Sequence, residues 1–121
     1  MSARIGYVVL DTVDPERIVG FWSELLGRPI EDRLNDGQYV TLAAEAGSPG
    51  FSLQRVPEAK SGKNRMHLDL VVDDLDEATQ TILDLGGDWR GGQTRALEGY
   101  IWRNMADLEG NEFDIVLGSS A

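Results

Sequence analysis

The chain has 121 residues, an ordinary length for one domain with one hydrophobic core, so the sequence predicts a single domain over residues 1–121. It has no cysteine, which excludes disulfides, thiolate nucleophiles and zinc–thiolate sites, so any metal must be bound through nitrogen and oxygen. With 21 acidic against 11 basic side chains the formal net charge is −10, and no stretch gathers the basic residues, so we expect no nucleic-acid partner.

The amino terminus does not resemble a targeting or membrane-spanning segment. Met1 to Arg4 lead directly into a short apolar run that Asp11 interrupts. A membrane span needs about 20 consecutive apolar residues, and a secretory signal needs an uninterrupted apolar stretch after a basic start. We therefore expect a cytoplasmic protein with no membrane partner.

The first half of the chain predicts one strand, one helix and three more strands. Residues 5–10 are mostly apolar and predict the first strand, and Asp14 followed by Pro15 is typical of a helix start. Gly27 is suited to the left-handed conformation that ends many helices. Apolar residues recur at helical spacing between these ends, at Ile18, Phe21, Trp22, Leu25 and Leu26. The further strands are predicted near residues 29–34, 38–43 and 51–56.

The second half repeats this order of elements. Residues 66–72 predict a strand, and Asp74 with Glu77 three residues later forms a capping box for a second helix. The buried stripe of that helix is expected at Leu75, Ala78, Ile82 and Leu85. Three strands are again predicted, near residues 89–91, 100–105 and 112–117.

An offset of sixty residues relates the two halves. It maps Tyr7 onto His67 in the first strands, and it maps Gln54 onto Asp114 in the last strands. An internal repeat of this kind predicts a duplicated fold in which each sheet has its helix on one face and the other sheet on the other. The expected class is α+β, with two βαβββ modules over about residues 3–58 and 64–118.

Strand alternation predicts which side chains point away from the helices and into a pocket. In the strand at 66–72, the leucines and Val72 form the apolar set expected under the second helix. His67 and Asp69 alternate with this set and therefore point to the opposite face. The residues expected to point there from the other strands are Tyr7, Gln54 and Asp114. Polar groups thus converge on a partly apolar concavity, which is the usual make-up of a ligand site.

Three stretches, in the order of the repeat, carry a resemblance to a known family. They are FWSELLG at residues 21–27, RMHLDLVVDDL at 65–75 and ADLEGNEFD at 106–114. Together they resemble the vicinal oxygen chelate superfamily of glyoxalases, bleomycin resistance proteins and extradiol dioxygenases, and within it the glyoxalase-like branch. The resemblance implies paired βαβββ modules whose curved mixed sheets face each other around a small-molecule site, usually in a homodimer.

The resemblance also implies where catalytic members hold a divalent metal. One residue from the first and one from the last strand of each module bind the ion, and the matching positions are Tyr7, Gln54, His67 and Asp114. Imidazole and carboxylate are good ligands and an amide oxygen is acceptable, so the expected metal set is His67, Asp114 and Gln54. A phenol with an ordinary pKa of about 10 competes poorly at neutral pH. The chain thus departs from the enzymes, which usually have His or Gln at the first position and Glu at the last.

His67, Asp69 and Arg103 are further candidates for chemistry. His67 beside Asp69 suits a general base oriented by a carboxylate, and this pair is the catalytic candidate. Asp69 lies between leucines and needs a partner if buried, and Arg103 is the expected partner. The guanidinium of Arg103 also suits a substrate carboxylate or phosphate. The aromatic side chains that either stack on a ligand or pack in the core are Tyr39, Trp89, Tyr100 and Trp102.

The altered metal quartet on a preserved frame favours a protein that binds a small organic molecule between its sheets, for resistance or sensing. The expected ligand-binding residues are Tyr7, Gln54, His67, Asp69, Arg103 and Asp114. One alternative is a metal-dependent lyase, isomerase or dioxygenase that uses one divalent ion, Zn, Ni, Mn or Fe. Another is a structural or interaction domain whose pocket is vestigial. The expected partners are the small molecule and a second copy of the chain.

Overall fold

The computed structural model describes residues 1–118 and divides into two compact units. The first unit is Met1–Ala59, and the second begins at Lys60. Among the described residues, no helix is both long enough and apolar enough to span a membrane.

The first unit has the βαβββ order predicted from the sequence. Its elements are β1 (Tyr7–Thr12), α1 (Pro15–Leu26), β2 (Ile30–Leu34), β3 (Tyr39–Leu42) and β4 (Gly50–Arg55). The strands form one mixed sheet in the order β1-β4-β3-β2, in which β1 runs parallel to β4 and the other neighbours are antiparallel. Helix α1 lies on this sheet in contact with β3 and β4.

Helix α1 begins and ends as the sequence predicts. The Asp14 carboxylate accepts a hydrogen bond from the Arg17 N–H at 3.4 Å. Gly27 ends the helix in the left-handed region, with a φ of 66°. Between these ends, Trp22 is fully buried and its ring centre lies 5.2 Å from that of Phe51 on β4. Trp22 therefore belongs to the core of the first unit.

The second unit repeats this order and adds a short strand. Its elements are β5 (Asp69–Val72), α2 (Leu75–Asp84), β6 (Asp88–Trp89), β7 (Arg95–Leu97), β8 (Tyr100–Ala106) and β9 (Glu112–Leu117). The sheet order is β5-β9-β8-β6, and β7 pairs with β8 as a hairpin. Strand β7 is not among the predicted strands, because its three residues are all exposed and show no apolar alternation. The signal for it is Glu98 and Gly99, whose positive φ values form the tight hairpin turn.

Helix α2 packs on one face of the second sheet. The Asp74 carboxylate accepts the Glu77 N–H at 3.0 Å, as the capping box predicts. Ile82 on the helix is fully buried, as are Phe113 and Ile115 on β9. The core of the second unit therefore lies between α2 and β9.

Strand alternation separates the two faces of the second sheet as predicted. On β5, Leu70 and Val72 are partly buried, whereas Asp69 and Val71 are exposed. On β9, Asp114 alternates with buried neighbours. The polar candidates on β5 and β9 therefore lie on the face away from α2.

The two units differ in register at their last strands. The final ladder pair joins Thr12 to Arg55 in the first unit. In the second unit it joins Val72 to Leu117. The offset between the units is therefore 60 residues for β1 and β5, but 62 residues for β4 and β9. The extra residues enter between the helix and the last strand, the part of the second unit that holds the β7 hairpin.

This change of register corrects the alignment of the two halves. The position equivalent to Asp114 is Ser52, and Gln54 is equivalent to Val116. Mapping Gln54 onto Asp114 with an unbroken offset is therefore wrong by two residues. A shift of two keeps the side chain on the same face of the sheet, so alternation alone gives no warning of the error.

Candidate active site in the second unit

His67, Asp69 and Asp114 come together on the face of the second sheet away from α2. Strand β5 runs parallel to β9 with Asp69 opposite Asp114, so the two carboxylates are neighbours. His67 lies just before the start of β5, and its imidazole extends to the side on which these carboxylates lie. Its Nε2 lies 3.2 Å from Oδ1 of Asp69 and 3.3 Å from Oδ2 of Asp114. Three of the predicted site residues thus form one cluster within a single unit.

Asn104 holds the most buried member of this cluster. The side chain of Asp114 is 15% exposed, against 58% for Asp69. Asn104 on β8 lies directly opposite Asp114, and its Nδ2 donates a hydrogen bond to Oδ1 of Asp114 at 3.0 Å. This bond leaves the other carboxylate oxygen, Oδ2, facing His67. Asn104 therefore fixes the orientation of the carboxylate that His67 contacts.

Nothing in the sequence repeat points to Asn104. The equivalent pair in the first unit is Thr41 and Ser52, whose hydroxyl oxygens lie 3.1 Å apart. A neutral hydrogen-bonded pair there replaces the amide and carboxylate of the second unit. The available signal is alternation along β8, which places Asn104 on the same face as Trp102.

The cluster lies at one side of a pocket of about 460 Å³. The remaining lining residues are apolar or aromatic: Leu97, Tyr100, Trp102 and Val116. Leu97 lies opposite Tyr100 across the β7–β8 hairpin, and Trp102 lies opposite Val116 on β9. The β7–β8 hairpin, whose first strand is not predicted from the sequence, therefore builds the apolar wall of the pocket. The volume lies within the range of small-molecule sites.

Arg103 lies on the other face of the sheet and binds α2. Its Nη1 donates to Oγ1 of Thr79 at 2.7 Å and to the Leu75 carbonyl at 3.2 Å. Its Nη2 donates to the Asp76 carboxylate at 2.8 Å. The guanidinium also lies 4.3 Å from the centre of the Trp89 ring, in a cation–π arrangement. Arg103 thus fastens the start of the helix to the sheet.

The prediction that Arg103 partners Asp69 is wrong, and Arg103 is not among the residues that line the pocket. Arg103 lies opposite the buried Ile115, so alternation turns it toward the helix while Asp69 faces the pocket. The equivalent position in the first unit is Val40, which is fully buried. Asp69 is paired with His67 instead.

Tyr7 and Gln54 lie apart within the first unit. Tyr7 lies opposite Gly50, and its ring covers the glycine so closely that an added Cβ would lie 2.5 Å from it. Gln54 lies opposite Asp11, four positions further along β1, which corresponds to about 13 Å. The first unit does not bring Tyr7 and Gln54 together.

Glu112, on the same face of β9 as Asp114, is neutralised by basic side chains. Glu112 forms an ion pair with Lys63, and Nη2 of Arg90 lies 3.7 Å from its Oε1. The hydrogen bond from the Lys63 ammonium holds the pKa of the Glu112 carboxyl below its usual value, against the opposing effect of burial. Within residues 1–118, the carboxylates of the pocket cluster form an ion pair only with His67.

The donor atoms of the cluster fit one divalent ion. The ligand atoms of His67, Asp69 and Asp114 all lie within 4.8 Å of one another. Ligands about 2.1 Å from a tetrahedral ion lie about 3.4 Å apart, close to the 3.2 and 3.3 Å measured from His67. One imidazole and two carboxylates suit borderline divalent ions. Asp69, rather than Gln54, completes three donors within this unit.

Solved structures share this fold at low sequence identity. An enzyme of the glyoxalase/bleomycin resistance protein/dioxygenase family from Burkholderia phytofirmans has a TM-score of 0.79 at 17% identity, over 95% of this chain and 98% of that one. A fosfomycin resistance protein from Listeria monocytogenes has 0.77 at 13% identity, over 99% and 97%. A lactoylglutathione lyase from Agrobacterium tumefaciens has 0.68 at 17% identity, over 98% and 96%. These similarities show the glyoxalase/bleomycin-resistance fold.

Sequence comparison then gives the family. None of the curated proteins matches the chain. The model of the glyoxalase-like domain, however, matches residues 7–116, from the first strand to the last. The resemblance read from the three sequence stretches is thereby confirmed. The chain belongs to the glyoxalase-like domain family.

Proposed function

We propose that the chain binds a small organic molecule in the pocket of the second unit. The observation that carries this proposal is the presence of three polar side chains and an apolar wall in one cavity. The cluster of His67, Asp69 and Asp114 orients the polar end of the ligand, and Tyr100 and Trp102 cover its flat apolar part. Binding of this kind serves resistance, by sequestering a toxic molecule, or sensing.

The preorganisation of the pocket supports this proposal. The hydrogen bond from Asn104 fixes Asp114 before any ligand arrives. Pairing of β7 with β8 fixes the strand that carries Tyr100 and Trp102. A site that is ordered in advance loses less conformational entropy on binding, so more of the contact energy remains as affinity.

A library of small aromatic fragments, observed in ¹H–¹⁵N correlation spectra, tests the proposal. Binding is expected to shift the amide signals of the pocket residues and the imidazole signals of His67, the only histidine in the chain. Trp102→Ala should weaken binding about tenfold or more, because burying an aromatic face contributes roughly 1.5 kcal/mol or more. Leu83→Ala, on the exposed side of α2, is the control and should leave binding unchanged. Unchanged affinity in Trp102→Ala would count against the pocket.

A metal-assisted lyase, isomerase or dioxygenase is the second candidate function, and the donor spacing in the cluster favours it. His67, Asp69 and Asp114 would hold a Zn, Ni, Mn or Fe ion. An ion held there would act as a Lewis acid on a substrate oxygen. Asn104 keeps Asp114 in place, and the wall of Tyr100 and Trp102 orients the substrate.

Calorimetric titration of the chelator-free protein with each of the four ions tests this second function. One ion per chain is expected, with affinity lost in His67→Ala because a three-donor set is reduced to two carboxylates. Asp84→Asn on α2 is the matched control and should bind like the parent. If His67→Ala binds the ions as tightly as the parent chain, the cluster is not their site.

We also propose that the chain forms a homodimer, as the resemblance implies. The support in the structure is a pair of exposed apolar side chains at alternate positions of β1, Tyr7 and Val9. Neighbouring large apolar side chains on one strand face are typical of a surface that another molecule covers.

A further inference from the structure

We propose that the pocket of the second unit selects flat aromatic ligands that carry a positive charge, such as an amidinium or a protonated amine, over neutral and anionic ones. This inference rests on the proposed binding function and specifies the class of ligand. Two properties of the pocket lining, its charge and its shape, support this inference.

The lining of the pocket has a negative net charge. Its ionisable side chains are the carboxylates of Asp69 and Asp114 and the imidazole of His67. Two carboxylates face one imidazole, so the net charge of the set is negative whether the imidazole is protonated or neutral. No lysine or arginine is among the residues that line the cavity. An anionic ligand would therefore meet repulsion that a cation does not.

The opposite wall is suited to the flat face of the same ligand. Tyr100 and Trp102 line the cavity together with the two carboxylates. Aromatic faces attract both a stacked ring and a cation, whereas an aliphatic wall would attract only apolar surface. The same sheet shows this preference on its other side, where the guanidinium of Arg103 covers the Trp89 ring at 4.3 Å.

The basic side chains nearest this sheet do not offset the charge of the lining. Arg103 is paired with Asp76 on the other face, and Lys63 and Arg90 are both paired with Glu112. Arg95 lies opposite Trp102 on the edge strand β7, and it is exposed and outside the lining. Arg95 lies two residues before the lining residue Leu97, on the same face of β7, so the experiment must measure its effect.

Three probes of matched shape test the inference: naphthalene-2-carboxamidine, which is a cation, naphthalene-2-carboxamide, which is neutral, and naphthalene-2-carboxylate, which is an anion. Their affinities are measured by calorimetry at neutral pH with a chelator present, so that metal ions do not contribute. The amidine is expected to bind at least about tenfold tighter than the amide, with the carboxylate weakest of the three.

Two carboxylate variants locate the source of the preference. Asp69→Asn keeps the shape of an exposed side chain and should lower the affinity for the amidine about threefold to tenfold, while the amide changes less than about twofold. Asp84→Asn changes the net charge of the chain equally, but on the helix on the other side of the sheet, and should leave all three affinities unchanged. Arg95→Gln should leave the order of the probes unchanged.

Each contrary result overturns a defined part of the proposal. Equal binding of amide and amidine overturns the charge selection while leaving the pocket as a binding site. An equal loss in Asp84→Asn and Asp69→Asn assigns the preference to overall charge and overturns the role of the lining. Tightest binding of the carboxylate, lost in Arg95→Gln, makes the edge arginine the determinant. Failure of all three probes to bind overturns this inference, and a simultaneous failure of the fragment library overturns the binding function as well.

Discussion

The orientation of Asp114 depends on a single amide. Oδ1 of this carboxylate accepts the hydrogen bond from Asn104, so Oδ2 is presented to His67. A carboxylate with one oxygen fixed loses little entropy when its other oxygen contacts a ligand. Asn104 is therefore a positioning residue, which acts through Asp114 and does not line the cavity itself.

Replacing Asn104 by Ala is expected to lower the affinity of the pocket for naphthalene-2-carboxamidine about threefold to tenfold, because Asp114 loses its fixed orientation. Asn104→Ser, which keeps a donor at this position, should recover part of the loss. Calorimetry measures the affinity of each variant for the amidine. Asn64→Ala removes an amide donor to the Glu112 carbonyl outside the pocket and serves as the control. If Asn104→Ala binds the amidine as tightly as the parent chain, the hydrogen bond from Asn104 is not needed to orient Asp114.

The ion pair of Glu112 makes part of the stability sensitive to acid. Its folded pKa lies below the ordinary value of 4.5, with the Lys63 hydrogen bond as the largest cause. The contribution is therefore complete above that ordinary value and is lost as the pH falls through the lowered folded value. Glu112→Gln should lower the free energy of unfolding by about 1–3 kcal/mol at pH 7, and the difference should shrink below about pH 4. Urea unfolding at several pH values measures it, and a difference independent of pH would contradict it.

At the scale of elements, Arg103 joins α2 to β8. A guanidinium presents a planar fork of donors that an ammonium cannot reproduce. Arg103→Lys is therefore expected to lower the free energy of unfolding by about 2 kcal/mol, since bonds to Thr79 and the Leu75 carbonyl are lost. Affinity for the amidine should change less than about twofold, because the residue faces away from the pocket. Lost binding at parental stability would place Arg103 in the site after all.

The elements of this fold differ in how far their sequence determines them. The caps at Asp14, Gly27 and Asp74 act within one helical turn, so residue type alone predicts both helices. Strand register depends instead on loop lengths and on pairing with distant strands. An alignment of the two halves at their first strands does not reveal the two residues that the second unit adds before its last strand.

The same distinction decides what could be predicted of the site. The convergence of His67, Asp69 and Asp114 is predicted from alternation along the strands expected at 66–72 and 112–117, and the structure shows it, although His67 lies just before the start of β5. The expected pairing of Arg103 with Asp69 required Arg103 on the pocket face, but the register of β8 places Asn104 there and turns Arg103 to the opposite side. Asn104 could not be identified because its equivalent in the first unit has different chemistry.

For the whole molecule, we expect a dimer in solution. Sedimentation equilibrium should give twice the chain mass of 13.3 kDa. The double variant Tyr7→Asp and Val9→Asp should shift the equilibrium to the monomer, because it replaces two exposed apolar side chains of β1 by charged ones. Leu83→Asp, at an exposed site on α2, is the control. A parent chain that sediments as a monomer at all concentrations would refute this expectation.

Equivalent positions of the two units carry side chains of different chemistry. Where the second unit has His67 and Asp69, the first has Tyr7 and Val9, and where the second has Asn104 beside Asp114, the first has Thr41 beside Ser52. At these positions the second unit presents ionisable groups that can contact a ligand. The first unit has exposed apolar side chains and two hydroxyl groups that lie within hydrogen-bond distance of each other. Substitutions in the second unit can therefore change the chemistry of the pocket while the first unit is left unchanged.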